Sequence, residues 1–200
     1  MNVMTTPRAD GVIDLGHVDV LIVGAGISGI GAAKHLKDQC PGKSWLILEG
    51  MESFGGTWWT HRYPGTRSDS DLYTFGYRFK PWVGPPVATR EEILKYMGDV
   101  IAENALAPHI RYRHRILSAA WDSAENRWTV RGENADGPFA ISATFLWMCQ
   151  GYYRHEKGFM PKWEGTESFK GTLLHSMEWP EGMDVAGKRI AVIGSGATAA

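Results

Sequence analysis

Two glycine-rich turns are the residues of this chain whose types and spacing most directly imply chemistry. The first reads Gly24-Ala25-Gly26-Ile27-Ser28-Gly29, and the second reads Gly194-Ser195-Gly196-Ala197-Thr198-Ala199. Each follows a short apolar run, over 18–23 and 189–193, which predicts a strand ending in a phosphate-binding turn. Two such turns predict two nucleotide sites, and a flavin with its reductant is the obvious pairing.

Each glycine of the first turn has its own physical role. Gly24 permits the tight turn, Gly26 lets the backbone approach a pyrophosphate, and Gly29 lets the helix pack close to the strand. N–H groups at the start of a helix predicted over about 28–39 would hold the phosphates. Glu49 ends the next predicted strand, where a carboxylate binds both ribose hydroxyls and repels a 2′-phosphate. The first site is therefore predicted to take FAD or NAD rather than NADP.

A second glycine pair follows Glu49, in Gly55-Gly56-Thr57-Trp58. Two glycines here would let a loop pass close to the pyrophosphate and ribityl chain of a flavin, with Thr57 as a hydrogen-bond donor. Residues 53–86 are rich in Gly, Pro, Trp, Tyr and Arg and show no clear periodicity. A long irregular segment of this kind is typical of a ligand-binding surface.

The elements that must position these residues are predicted from hydrophobic patterning and turn residues. A capping box, Thr89-Arg90-Glu91-Glu92, opens a helix whose apolar face holds Ile93, Met97, Val100 and Ile101. Strands are predicted over 18–23 and 45–49, and three strand-like runs follow over 111–121, 127–131 and 140–148. The alternation of strands and helices predicts an α/β fold.

Composition excludes several classes of function. The chain has 200 residues, 21 basic and 22 acidic residues, and a formal net charge of -1. No basic stripe appears, so nucleic acid is not an expected partner. Apolar runs are too short for a membrane helix. The first 16 residues are mixed and polar and lack the basic-then-apolar pattern of a signal peptide, so none is expected there. Two separated cysteines, Cys40 and Cys149, suit a reducing cytoplasm, and no metal-ligand spacing appears among the histidines.

The most discriminating stretch is the fingerprint segment, residues 169–180. Phe169, Gly171, His175, Trp179 and Pro180 fit the pattern F-x-G-x-x-x-H-x-x-x-W-P. In this pattern the chain resembles the Baeyer–Villiger monooxygenases, a branch of the class B flavoprotein monooxygenases. Residues 62–73, 76–79 and 124–130 resemble the subgroup that contains the mycobacterial ethionamide monooxygenase.

The resemblance implies a Rossmann-like α/β flavoprotein fold with two dinucleotide-binding domains. It divides the chain into a flexible tail (1–17), an FAD-binding domain (18–160, with a β-meander at about 111–148), a linker (161–187) and the opening strand and turn of an NADP-binding domain (188–200). The chain is accordingly expected to be the front part of a larger enzyme, incomplete in its second domain.

Site residues follow from the same resemblance. The FAD site is expected to contain Gly24, Gly26, Ser28, Gly29, Glu49, Gly56, Thr57, Trp58, Asp69 and the backbone near Ile116. The NADP site is expected to contain Arg67, Ser68, Gly194, Ser195, Gly196, Ala197, Thr198 and Ala199. Asp69 would support a catalytic arginine outside this chain. His175 and Trp179 would belong to a linker that moves between domains.

The implied reaction is an FAD-, NADPH- and O₂-dependent oxygenation of a ketone or a sulfur compound through a C4a-peroxyflavin. Two enzyme alternatives stay open: an N- or S-oxygenating flavin monooxygenase without Baeyer–Villiger activity, and a pyridine-nucleotide disulfide reductase, which the absence of a C-x-x-x-x-C pair disfavours. A third alternative is an FAD-binding fragment that is inactive alone. The substrate and the oligomeric state are left open.

Several of these residues also have purely structural interpretations. By residue type alone, His175 is more often a hydrogen-bonded structural histidine than a catalytic one. Asp69 and Asp71 could both be solvated turn carboxylates. Trp58 and its aromatic neighbours could serve mainly in packing.

Overall fold

The computed structural model describes residues 6–7, 11–155, 157–196 and 198–199. The chain divides into two compact units. The first comprises Met1–Gly56 and Lys95–Gly151, and the second comprises Thr57–Leu94 and Tyr152–Ala200. This division differs from the predicted domains, because residues 57–94 group with residues 152–200 rather than with the first glycine turn.

The first unit is built on a mixed sheet. In the described residues its seven strands are β1 (Thr6–Pro7), β2 (Ile13–Val23), β3 (Trp45–Leu48), β4 (Ile110–Arg111), β5 (Arg115–Asp122), β6 (Arg127–Asn134) and β7 (Gly137–Met148). The strand order is β4-β3-β2-β7-β6-β5, and β1 pairs with β2. Strands β4, β3, β2 and β7 are mutually parallel, which is the arrangement of a Rossmann-like core.

Helix α1 (Ile27–Gln39) connects β2 to β3 as a parallel crossover. The Val-Asp-Val-Leu-Ile-Val run at the end of β2 and the Trp-Leu-Ile-Leu run of β3 are mostly buried. Continuous apolar strands are expected where helices or loops cover both faces of a parallel sheet. The register pairs Val23 with Leu48 and with Met148, so β2, β3 and β7 end at the same edge.

The last three strands of the sheet form a meander. Strands β5, β6 and β7 are antiparallel neighbours, and they are joined at 123–126 and 135–136. Asn126 takes a φ of 50° and Gly137 a φ of 124°, which are conformations that Asn and Gly adopt most readily. The meander attaches to the parallel strands through β7, whose apolar residues Phe139 and Ile141 lie in the core.

The remaining helices are α2 (Thr57–Thr60), α3 (Leu72–Phe75) and α4 (Arg90–Glu103). The capping box is confirmed, since Oε2 of Glu92 accepts hydrogen bonds from the N–H (2.8 Å) and the hydroxyl (3.0 Å) of Thr89. Asp71, considered above as a solvated turn carboxylate, caps α3 by accepting from the N–H of Thr74 at 2.9 Å. None of the helices within the described ranges combines the length and the apolar composition that a membrane span requires.

Two sequence predictions are wrong. The predicted tail over 1–17 contains β1 and the first half of β2, because Leu15 is buried in the core and Ile13 pairs with Phe139 of β7. The predicted strand over 189–193 is irregular and exposed. Within the described chain no strand lies beside residues 189–193, so their N–H and C=O groups have no ladder to join.

Candidate functional site

The first glycine turn lies where β2, β3 and β7 end. The N–H of Gly24 donates to the carbonyl of Leu48 at 2.8 Å, and the N–H of Cys149 donates to the carbonyl of Val23 at 2.8 Å. Gly24 has a φ of 100°, and a Cβ there would lie 2.7 Å from the Cys149 carbonyl oxygen. Both the backbone conformation and the space therefore require glycine at this position.

Gly29 brings the first turn of α1 against the glycine turn itself. A Cβ on Gly29 would lie 1.9 Å from the carbonyl oxygen of Gly24. Gly26 is the N-cap of α1 and makes no side-chain capping hydrogen bond, and Ser28 is exposed in the first helical turn. Glycine at the N-cap brings no side chain to the helix N-terminus, and the helix dipole favours an anion there.

Glu49 is fixed beside the turn by two backbone donors. Oε2 accepts from the N–H of Ala25 at 2.6 Å, and Oε1 accepts from the N–H of Met51 at 2.8 Å. The side chain is buried, with 7% of the residue exposed. A carboxylate offers about four lone-pair positions, so each oxygen keeps capacity for a further donor such as a ribose hydroxyl.

The charge of Glu49 affects its surroundings. Burial raises the pKa of the Tyr112 phenol, and the negative charge of Glu49 raises it further. The segment leading to Ile116 runs alongside Glu49, since the N–H of His114 donates to the Glu49 carbonyl at 2.8 Å. Ile116 itself is paired with Gly132 in the β5–β6 ladder and packs against the core.

The Gly55-Gly56 pair lies over the first turn. The N–H of Gly55 donates to the carbonyl of Ala25 at 3.0 Å. Gly56 has a φ of 54°, and a Cβ on it would lie 3.2 Å from Cα of Gly26. Because neither Gly26 nor Gly56 carries a side chain, a narrow cradle free of side chains remains between them at the N-terminus of α1. The structure brings together the predicted residues Gly24, Gly26, Gly29, Glu49 and Gly56.

In the second unit, Thr57 and Trp58 begin α2. Both are half-buried, and the Trp58 indole meets Phe75 edge to face, with ring centroids 6.2 Å apart. The carbonyl of Thr57 accepts from the N–H of His61 at 3.0 Å. The Trp58 indole therefore packs against Phe75 within the second unit.

Arg67, Ser68 and Asp69 lie on a short antiparallel bridge. Arg67 pairs with Thr89. The N–H of Ser68 donates to the Ala88 carbonyl at 2.9 Å, and the Ser68 hydroxyl accepts from the Ala88 N–H at 3.1 Å. Ser68 is buried, whereas Arg67 and Asp69 are exposed. The two exposed charges are the ones available to a ligand.

Tyr153 is close enough to Asp69 to be affected by its charge. A hydrogen bond with Tyr152 raises the pKa of the Tyr153 phenol most, followed by burial, and Asp69 adds a smaller contribution. The sequence does not predict this neighbour, because the two residues are far apart along the chain and only the fold brings them together.

The fingerprint segment forms local structure in the second unit. Phe169 ends the 3-10 helix Thr166–Ser168, and its ring lies over Gly171, where a Cβ would come within 2.5 Å of it. His175 begins the 3-10 helix Ser176–Glu178, and its Nδ1 accepts from the N–H of Met177 at 3.2 Å. Trp179 ends that helix. Three of the five fingerprint residues therefore cap short helices.

The second glycine turn is exposed at the described residues 194–196 and 198. Gly194 has a φ of 145°, and the N–H of Ala199 donates to the carbonyl of Gly196 at 2.8 Å. Ala197, the remaining predicted residue of the pyrophosphate turn, lies outside the described residues.

A histidine cluster in the second unit was missed by the sequence analysis. Thr60 contacts both His61 and His155, and burial lowers the pKa of His61. Their spacing carries no motif, so only the fold reveals them. Among the described residues, no group of His, Cys, Asp and Glu could hold a metal ion.

Two family profiles match the chain. An NAD(P)-binding Rossmann-like domain matches residues 22–84, and the flavin-binding monooxygenase-like family matches residues 81–200. The second profile covers more than half of the chain. The Rossmann-like α/β fold and the resemblance to flavin monooxygenases are confirmed.

Curated relatives and solved structures agree with these profiles. FAD-containing monooxygenase EthA of Mycobacterium tuberculosis is 50% identical over 184 residues, which are 92% of this chain and 38% of the relative. A steroid monooxygenase bound to NADP is 35% identical, with a TM-score of 0.77 over 92% of this chain and 35% of that chain. A cyclohexanone-bound cyclohexanone monooxygenase is 29% identical, with a TM-score of 0.76 over the same shares. The chain thus spans well under half the length of the proteins it matches.

Proposed function

The chain belongs to the flavin-binding monooxygenase-like family, and from this premise we propose that it carries the FAD-binding part of an FAD- and NADPH-dependent monooxygenase. The observation that carries the proposal is the buried carboxylate of Glu49, held by the N–H groups of Ala25 and Met51. A carboxylate fixed in this way beside a glycine turn is suited to the two hydroxyls of an adenosine ribose.

The residues present fit the adenosine diphosphate part of FAD. The cradle between Gly26 and Gly56 would be filled by any side chain at position 56, because a Cβ there reaches within 3.2 Å of Gly26. A pyrophosphate in the cradle would accept from N–H groups at the start of α1, and the helix dipole would stabilise its charge. The charge of Glu49 disfavours a 2′-phosphate on the same ribose.

Bound FAD, once reduced by NADPH, would supply the oxygen-activating chemistry of the reaction. The residues of this chain bind, orient and shield it. Thr57 and Trp58 follow directly after Gly56, and we assign them to the flavin. Ser28, exposed in the first turn of α1, and the backbone near Ile116 belong to the same assignment.

For NADPH we assign Arg67, Ser68 and residues 194–199. Exposure of the Arg67 guanidinium supports this assignment, since a guanidinium pairs readily with phosphate. Ser68 is expected to contribute through the position of its backbone rather than through its hydroxyl. That hydroxyl already accepts a hydrogen bond from the N–H of Ala88. Asp69, exposed beside it, is assigned to support an arginine elsewhere in the enzyme.

The proposed substrate is a ketone or a sulfur compound, with O₂ as the co-substrate. The ketone is favoured by the 29% identity to a cyclohexanone-bound monooxygenase and by the full fingerprint, including Trp179 and Pro180. The 50% identity to EthA does not distinguish a ketone from a sulfur compound as the substrate. An N- or S-oxygenating enzyme is therefore the second candidate. The free cysteines Cys40 and Cys149 support a cytoplasmic location.

We further propose that these 200 residues alone do not turn over NADPH. The apolar side chains of Ile190, Val192 and Ile193 are more than half exposed, and the turn after them has neither a preceding strand nor a following helix in the described residues. A pyrophosphate-binding turn needs both to orient its N–H groups. NADPH-dependent oxygenation by this polypeptide would refute this part of the proposal.

The test of FAD binding is an absorbance spectrum of the chain after mixing with excess FAD and desalting. The proposal predicts retained flavin absorbance in the wild type and its loss in Glu49→Arg, which places a cation where the ribose hydroxyls need an acceptor. A folded wild-type chain that retains no flavin would contradict the proposal for this part of the enzyme.

A further inference from the structure

The histidine cluster of the second unit connects α2 to a distant part of the chain. Oγ1 of Thr60 lies 3.2 Å from Nδ1 of His155, a residue 95 positions further along. Nδ1 of His61 lies 3.0 Å from the carbonyl oxygen of Thr57. Since a carbonyl only accepts, Nδ1 of His61 carries the hydrogen of that bond. Within α2, the hydrogen-bond partner of His155 is therefore the Thr60 hydroxyl.

A short distance beyond His155, the chain supports the fingerprint histidine. Gly158 is buried, and a Cβ on it would lie 2.1 Å from Nδ1 and 2.2 Å from Cγ of His175. The imidazole of His175 therefore rests directly on the backbone of Gly158. The N–H of Gly158 also approaches Oε1 of Glu178, at 3.4 Å.

We propose that Thr60 and His155 are positioning residues for the fingerprint segment. Their hydrogen bond holds His155, which shortly precedes Gly158 in the chain, and so fixes the imidazole of His175 relative to α2. The role of this hydrogen bond in the reaction rests on the proposed function, because α2 begins directly after Gly56, which belongs to the proposed FAD cradle. It assigns roles to two residues that the fingerprint pattern does not contain.

A second contact between the same two regions is too weak to do this alone. Nη1 of Arg62 lies 3.9 Å from Oε2 of Glu181, whose side chain is 91% exposed. The guanidinium also lies 4.6 Å from the centre of the Trp59 ring. Ion pairs this exposed contribute little and hold no fixed geometry. The Thr60–His155 hydrogen bond, by contrast, is directional.

The test compares two substitutions of His155 in the full 200-residue chain. Asparagine places its amide near the position of Nδ1 and can keep a hydrogen bond to Thr60. The glutamine amide lies one methylene further from the backbone and is displaced from that position. The readouts are the hydrogen-exchange rate of the Met177 amide, which donates to His175, and the ¹⁵N shift of His175 Nδ1.

The proposal predicts that His155→Gln speeds exchange of the Met177 amide by about fivefold to tenfold, the effect of losing one hydrogen bond. It also predicts that the Nδ1 signal of His175 shifts or broadens in His155→Gln. In His155→Asn both readouts should stay at their wild-type values. Thr60→Val and Thr60→Ser form a second pair, in which valine removes the hydroxyl and serine retains it.

Unchanged Met177 exchange and an unchanged His175 signal in His155→Gln would overturn the proposal, as would equal effects of Gln and Asn. Amides of Ile22 and Val23 in β2 report whether a variant has unfolded, and if Thr60→Val unfolds, the His155 pair decides. Flavin retention measured on the same samples separates the two proposals. FAD retained with unchanged Met177 exchange refutes only the positioning role, whereas a folded wild type without FAD refutes only the FAD site.

Discussion

The carboxylate of Glu49 and the backbone N–H of Ala25 are joined by a hydrogen bond of 2.6 Å. This bond connects the end of β3 to the middle of the glycine turn. Hydrogen bonds to an ionised acceptor are shorter and stronger than neutral ones. Glu49 therefore fixes the conformation of the turn, and its remaining lone pairs are the ones that the proposed FAD site assigns to the ribose hydroxyls.

Gly29→Ala is expected to destabilise the first unit. The new Cβ would lie 1.9 Å from the Gly24 carbonyl, which is backbone in a turn and cannot move without breaking the hydrogen bond from the Gly24 N–H to Leu48. Overpacking of this kind costs about 2–3 kcal/mol. Urea unfolding followed by circular dichroism measures the loss.

Gly42→Ala is the matched control for that substitution. A Cβ at position 42 has no heavy atom within 4 Å, so the free energy of unfolding should change by no more than about 0.5 kcal/mol. Equal stability of the Gly29 and Gly42 variants would show that α1 does not pack on the turn as described.

His61 is expected to make the stability of the second unit depend on pH. Burial lowers its pKa from the ordinary value of 6.5, the Thr57 carbonyl opposes this effect, and the charges of His155 and His175 add to it. The unfolded chain therefore binds the proton more readily than the folded one. The neutral ring contributes its full stability above pH 6.5, and this contribution is lost as the pH falls through the lowered pKa.

The measurement is the free energy of unfolding of the wild type and of His61→Phe between pH 7.5 and pH 5, conditions chosen to span the ordinary histidine pKa of about 6.5. The wild type should lose more stability across this range than the phenylalanine variant. Parallel curves for the two proteins would contradict the burial and the surroundings assigned to His61.

Asp19 fixes the loop before β3 and should titrate at unusually low pH. Its Oδ2 accepts from the hydroxyl (2.7 Å) and the N–H (2.8 Å) of Ser44, and Lys43 lies 3.2 Å from Oδ1. The Ser44 bonds contribute most to lowering the pKa of Asp19 from 3.8 to about 2. The stability that this carboxylate contributes is complete above pH 3.8 and is lost as the pH falls through about 2.

Carboxyl ¹³C shifts followed through an acid titration measure this pKa directly. Ser44→Ala should move the midpoint upward toward 3.8, since it removes the hydroxyl donor and leaves the N–H and Lys43. A wild-type midpoint at the ordinary value would contradict the hydrogen bonding of Asp19 to Ser44.

The glycine turn of the first unit could be predicted from sequence because its determinants are local. Glycine spacing, the flanking apolar runs and Glu49 all lie within one strand–helix–strand unit, and the capping box of α4 lies within four residues. The anchors of Glu49 could not be predicted, because Ala25 and Met51 act through backbone N–H groups that leave no side-chain signal.

The errors have a common physical origin in long-range pairing. The segment with Ile13 and Leu15 is predicted as a loose tail because the strand with which it pairs, β7, lies more than 100 residues further along the chain. Residues 189–193 have the composition of a strand, but a strand forms only where another strand offers its hydrogen-bonding edge. The contact between Thr60 and His155 was missed for the same reason, since it depends on the fold and on no motif.

The most direct test of the FAD site is the affinity of the chain for FAD in Glu49→Gln, measured by titration of flavin fluorescence. Glutamine has one acceptor oxygen where the carboxylate uses two, so it cannot satisfy both Ala25 and Met51. Glu164→Gln removes the same charge at an exposed position and is the control. The account predicts FAD binding about 10- to 100-fold weaker in Glu49→Gln, with the control unchanged. Equal affinity of a folded Glu49→Gln chain and the wild type would contradict it.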